Sequence, residues 1–181
     1  MKLLKDKIIL IALVIVILSF VLLALPGQYA HFLVIKVGAK NTYQYYLSGY
    51  EWMFGTVKNS VGESIGSAVG SGIAALVMLA LSFVGLLFSK KSSFVSLLVS
   101  LALIVVAILF FTSSSASVTP YANVYEVSDG NFSNMSWVPY VLGALTLIAG
   151  GLMGYRTVRV MIAETKRPSQ PKGPSYSYLH K

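Results

Sequence analysis

Four stretches of this chain are apolar for long enough to leave few options for how they fold. They run from about Ile8 to Leu25, Gly66 to Phe88, Phe94 to Phe111 and Val138 to Tyr155. A helix needs about 18–20 mostly apolar residues to cross a hydrocarbon core of ~30 Å, and each stretch approaches or exceeds that. None alternates as a barrel strand does, and none carries the polar face of a surface helix. The expectation is an all-α membrane protein. Residues 1–165 form a four-helix antiparallel transmembrane bundle with a small extracellular β-sheet cap, and a tail follows at 166–181.

Charge supports this. Asp, Glu, Lys and Arg make up 11% of the chain, against about 25% in soluble domains, and mean hydropathy is +0.74. The net charge of +8 is more informative in its distribution than in its sum. Lys2, Lys5 and Lys7 precede the first stretch, and Lys90 and Lys91 join the second and third. Arg156, Arg159, Lys166, Arg167, Lys172 and Lys181 follow the fourth. Lys36, Lys40 and Lys58 alone fall on the other side. Basic residues concentrate in cytoplasmic loops, so both termini are expected in the cytoplasm of a plasma-membrane protein, with no nucleic-acid partner required. The basic start also fits a cleaved signal peptide. The apolar run that follows is longer than the roughly 7–15 residues of such signals, so it is read as a retained helix.

Two segments lie outside the bilayer in this reading. His31 to Val37 and Thr42 to Leu47 are rich in β-branched and aromatic residues around Gly38-Ala39-Lys40-Asn41, which predicts a hairpin. A lone hairpin is marginal in water, so a third strand is expected from Val118 to Val127. That strand would follow a flexible Ser113–Ser117 stretch and precede a turn at Ser128–Asn131. Tyr45, Tyr46, Tyr50, Trp52 and Phe54 make the first segment strongly aromatic. They suit either an interfacial belt or an extracellular contact surface. Trp137, Tyr140 and Tyr155 read as belt residues.

The tail from Lys166 is basic and rich in Pro, Ser and Gly, so it is expected to be disordered and to attract anionic lipid headgroups.

Little in the chain points to chemistry. There is no cysteine, which removes disulfides, thiolate metal sites and cysteine nucleophiles. No Asp, Glu, Lys, Arg or His lies inside the four stretches, so the usual mark of proton or ion pathways is missing. Their hydroxyls, such as Ser96, Ser100 and Thr146, have no nearby activating base and read as helix-bonding groups. His31 and His180 fall on opposite sides, which leaves no metal site. Gly66 to Gly72 lacks the Lys-Ser/Thr ending of a phosphate loop. Asn131 and Asn134 match glycosylation sequons. No catalytic residue, cofactor or metal is expected.

The clearest motif concerns packing. Gly62, Gly66, Gly70 and Ala74 recur every fourth residue, and Gly150 and Gly154 repeat the spacing. Such stripes let helices approach closely, either inside one bundle or with a partner.

The order of parts is helix, long external segment with strands, two helices joined by a short basic turn, shorter external segment, helix and tail. This order resembles the claudin-like tetraspan plan. The resemblance is topological and carries over no residue roles. Ser48-Gly49-Tyr50-Glu51-Trp52-Met53-Phe54-Gly55 is also similar to Ser-Gly-aromatic stretches ending in Phe-Gly in uncharacterised four-helix membrane proteins of Gram-positive bacteria and their wall-less relatives.

The expected role is non-enzymatic: lateral association as a homo-oligomer or with another membrane protein, or extracellular contact. An assembly subunit, a scaffold and a cell-surface protein all fit. The alternative is a small transporter, channel or transport accessory for a neutral or hydrophobic solute.

Overall fold

The computed structural model describes residues 6–37, 43–56, 68–124 and 132–165. The Gly38–Asn41 and Ser128–Asn131 turns, Gly62, Gly66 and the tail from Lys166 lie outside the described residues. Eight elements follow one another: α1 (Lys7–Ala24), β1 (Leu33–Val37), β2 (Tyr43–Leu47), α2 (Gly49–Phe54), α3 (Gly70–Phe88), α4 (Ser93–Val124), β3 (Phe132–Met135) and α5 (Val138–Thr165). Among the described residues, four helices are long and apolar enough to cross a membrane: α1, α3, α4 and α5.

Each long helix buries one narrow seam. On α1 it is Ile9, Ala12, Val16, Ser19 and Leu23, and on α3 it is Gly72, Ala75, Leu79, Ser82 and Leu86. Val99, Leu103, Val106 and Phe110 continue the pattern on α4, and Leu142, Thr146, Ala149 and Met153 on α5. The alternating steps of three and four place each seam on one helix face, as in left-handed antiparallel bundles. The helices close into a ring in which α1 and α4 each touch both α3 and α5. The outer faces are apolar too, with Val14, Val77, Leu101 and Ile148 all about half exposed.

The sheet forms as expected in the first segment and differently in the second. β1 is central and antiparallel to both neighbours, in the order β2-β1-β3. Leu33 faces Leu47 on one side and Met135 on the other. The third strand is Phe132–Met135, while most of the expected Val118–Val127 strand lies in α4, which runs on to Val124. Extending a formed helix adds one hydrogen bond per residue without a new nucleus, and this carries α4 through the serine-rich run and past Pro120, where one such bond is lost. α4 is 32 residues long, about 48 Å, and α5 is 28, about 42 Å. α5 runs past the expected end at Tyr155, to Thr165.

The sheet is held to the bundle by a buried aromatic plug. Phe32 stacks on Trp52, centroids 4.3 Å apart, and tilts against Phe110 of α4. The Phe32 N–H donates to the Leu47 carbonyl, and the Ser136 N–H donates to the Phe32 carbonyl. α2 carries Trp52 inward. Its N-terminus is a capping box in which Ser48 Oγ accepts from the Glu51 N–H and the Glu51 carboxylate accepts from the Ser48 N–H. Gly55 ends the helix in the left-handed conformation, with φ at 63°. The Val69 N–H then donates to the Met53 carbonyl, which seats the start of α3 beside the plug.

Two glycines one step apart on α3 are expected to respond oppositely to alanine. A Cβ at Gly72 would lie 2.5 Å from Trp52 Cζ3 and 2.8 Å from Met53 Cγ, whereas one at Gly70 meets nothing within 4 Å among the described residues. In thermal unfolding of the detergent-solubilised protein, Gly72→Ala should cost about 1–3 kcal/mol. Gly70→Ala should be neutral or stabilise by up to about 1 kcal/mol.

Candidate functional site

The α4–α5 seam is the most extensive helix contact and brings together small residues expected to pack. Ser100 Oγ donates to the Gly150 carbonyl at 2.8 Å. A Cβ on Gly150 would sit 3.1 Å from the Ser100 carbonyl oxygen, and one on Gly154 3.0 Å from Ser100 Oγ. Gly150 and Gly154 therefore serve packing within the bundle. Ser19, Ser82 and Thr146 instead donate to carbonyls of their own helices, which satisfies a buried hydroxyl without a partner helix.

One turn further along α5 the seam becomes charged. Arg156 is 9% exposed, and its Nε donates to Asp6 Oδ2 at 2.7 Å. Its Nη1 reaches the Ser89 carbonyl at 3.4 Å and Ser96 Oγ at 3.3 Å. Thr157 Oγ1 lies 2.9 Å from both Ser96 Oγ and the Met153 carbonyl. One guanidinium thus joins the start of α1, the end of α3, the start of α4 and the far part of α5. From sequence alone Arg156 reads only as a topology signal. Its partner Asp6 stands 150 residues away, and no local pattern links them.

Asp6 remains ionised. Burial pushes its carboxyl up, but the hydrogen bond and charge of Arg156 outweigh this, helped by the Ile8 and Ile9 amides, and hold it below the ordinary 3.8. A depressed folded-state pKa adds stability that is present above the unfolded value and lost as pH falls through the folded one.

The aromatic residues of the first segment divide. Trp52 is fully buried, which corrects its assignment as an extracellular contact: α2 turns it onto Phe32, where its ring fills the bundle end. Tyr46 and Phe54 are 45% and 44% exposed, Tyr50 is half-buried, and Tyr50 stacks on Phe54. Tyr45 pairs with Ile35 in the ladder by its backbone. Tyr46, Tyr50 and Glu51 line a shallow groove of about 630 Å³ beside Pro26 and Gln28. Trp137 and Tyr140 near the sheet, and Tyr155 toward the Arg156 end, are exposed, as belt residues would be.

The small-residue stripe on α3 also departs from an internal role. Gly70 and Ala74 are exposed, and α3 makes its close contacts at Gly72, against Trp52, and at Gly85, against Val99. The seam through Ala75, Leu79, Ser82 and Leu86 passes through Gly72, which leaves Gly70 and Ala74 on the outside. Gly151 of α5 is likewise open, with nothing within 4 Å of an added Cβ.

Asp6→Asn should lower the thermal midpoint at neutral pH, by about 1–3 kcal/mol of stability. The gap between wild type and variant should hold down to about pH 4 and close below it, as read by unfolding at stepped pH. No family model matches this chain, and a search of curated proteins returns no match.

Proposed function

We propose that the protein is a multi-pass cell-membrane protein that works by lateral association, with a second copy or with the helix of another membrane protein. Several features support the membrane part. Four helices have the length and composition to span a bilayer, and their outward faces carry Ile17, Val77, Leu98 and Ile148. Contiguous apolar surface on that scale is not sustained in water. Basic residues gather at the Arg156 end, among them Lys7, Lys90, Lys91 and Arg159, which favours that end as cytoplasmic. The sheet would then be extracellular. Its construction from both inter-helix segments is in keeping with a claudin-like plan.

The observation that carries the association reading is the open face of α3. Gly70, Ala74, Val77, Leu81 and Val84 are all exposed and repeat in steps of four and three, the spacing of the buried seams. A second helix laid on this face would approach closely at Gly70 and Ala74, where dispersion contacts drive association in lipid.

A second reading has its own observation. Between α3 and α4 lies an apolar cleft of about 470 Å³, with Met78, Gly85, Leu98 and Ala102 among its walls, suited to a hydrophobic solute. The transport alternative takes its support from this cleft. The filled seams of the four helices argue against a path through the bundle.

Light scattering of the protein in mild detergent tests association. The expected result is a fixed oligomer, or a recurring stoichiometric partner, that Gly70→Leu reduces to a lone monomer of unchanged thermal stability. A wild-type protein that is monomeric and partnerless would overturn the reading.

A further inference from the structure

The side of the Arg156 cluster that faces away from the bundle centre is a cleft of about 300 Å³ between the start of α1 and α5. Its polar lining is Asp6, Arg156 and Arg159, and its apolar walls are Ile8, Val160 and Ala163. Arg156 is nine-tenths buried, yet only Nε and Nη1 are engaged. Nη2, with its two N–H donors, has no partner among the described residues. Arg159 also lines the cleft; it is exposed and stands over the Tyr155 ring, 5.9 Å from its centroid.

We propose that this cleft binds the phosphodiester of an anionic phospholipid headgroup, held between Arg156 Nη2 and Arg159. The inference rests on the membrane reading above and adds to it a specific lipid site.

Charge and shape both select this ligand. Two arginines against the one carboxylate of Asp6 leave the cleft at +1, which matches a phosphodiester monoanion better than a dianionic free phosphate. Asp6 is itself engaged by Arg156 Nε at 2.7 Å, so its repulsion is largely offset. Planar guanidinium groups suit phosphate oxygens in bidentate contact. The apolar walls suit the glycerol and first acyl carbons of a lipid. The cleft also lies at the bundle end where the preceding reading places the cytoplasmic headgroups.

The test uses the full chain reconstituted in phosphatidylcholine nanodiscs with phosphatidylglycerol added, with retained lipid counted by native mass spectrometry. Wild type should retain phosphatidylglycerol about fivefold over phosphatidylcholine for each arginine engaged. Arg159→Gln should lose most of that preference, and the Lys90→Gln/Lys91→Gln double variant should keep it. Millimolar inorganic phosphate should not compete. Three results would overturn the proposal: an unchanged preference in Arg159→Gln, equal loss in the lysine variant (diffuse surface charge), or full competition by inorganic phosphate (a free-phosphate site). A chain that washes off lipid vesicles at alkaline pH overturns the membrane reading first, and is told apart by that wash.

Discussion

The Arg156 guanidinium meets Asp6, the Ser89 carbonyl and Ser96 at one end of the bundle, and so couples four chain segments that have little else polar to offer one another. In a water-excluded setting, a charge without partners is far costlier than one inside a satisfied network. The cluster therefore fixes which helix ends meet. With the starts of α1 and α4 and the end of α3 gathered around the far part of α5, neighbouring helices in the ring run antiparallel. The sheet is left to close the opposite end, with Phe32 and Trp52 beneath it.

Between these ends the helices hold together through small residues at close range. Gly150 and Gly154 let α5 lie against Ser100, and Gly72 admits the Trp52 ring. A methyl on Gly72 would run into the Trp52 ring, and one on Gly150 or Gly154 would sit about 3.0 Å from its neighbours, tighter than ordinary contact. Among the described residues a Cβ at Gly70 meets no such neighbour and Ala74 is exposed, and this contrast, more than the repeat itself, marks the outer face of α3. Glycine in a helix is destabilising by roughly 0.5–1 kcal/mol relative to alanine, so an open glycine on a helix face calls for a reason that the inner glycines already have.

Much of this was legible in the amino-acid order. Helix α1 ends within a residue of its expected bounds because an apolar run of that length has few other options. β1 and β2 were readable because Leu33–Val37 and Tyr43–Leu47 are β-branched and aromatic on either side of a turn. β3 was hidden because Phe-Ser-Asn-Met is short and polar, and its pairing with β1 is a tertiary contact. α4 ran past expectation because a serine-rich run suits both loop and helix extension. For Trp52 there was a local signal: Ser48 and Glu51 have capping-box spacing and Gly55 follows, which marks a short helix able to turn one aromatic inward. Arg156 gave no such signal, because Asp6 lies at the other end of the chain. Nor does four-residue spacing reveal whether Gly70 or Gly72 faces inward; the buried seam of α3 decides it.

The central claim is that the chain crosses a membrane with its sheet outside and its Arg156 end in the cytoplasm. The absence of cysteine makes labelling of single introduced thiols free of background. Tyr29, 73% exposed at the sheet end, and Lys90, exposed at the other, are the two positions to compare. An impermeant maleimide should label Tyr29→Cys on intact cells and Lys90→Cys only after permeabilisation. The reverse pattern, or equal labelling of both on intact cells, would contradict the account.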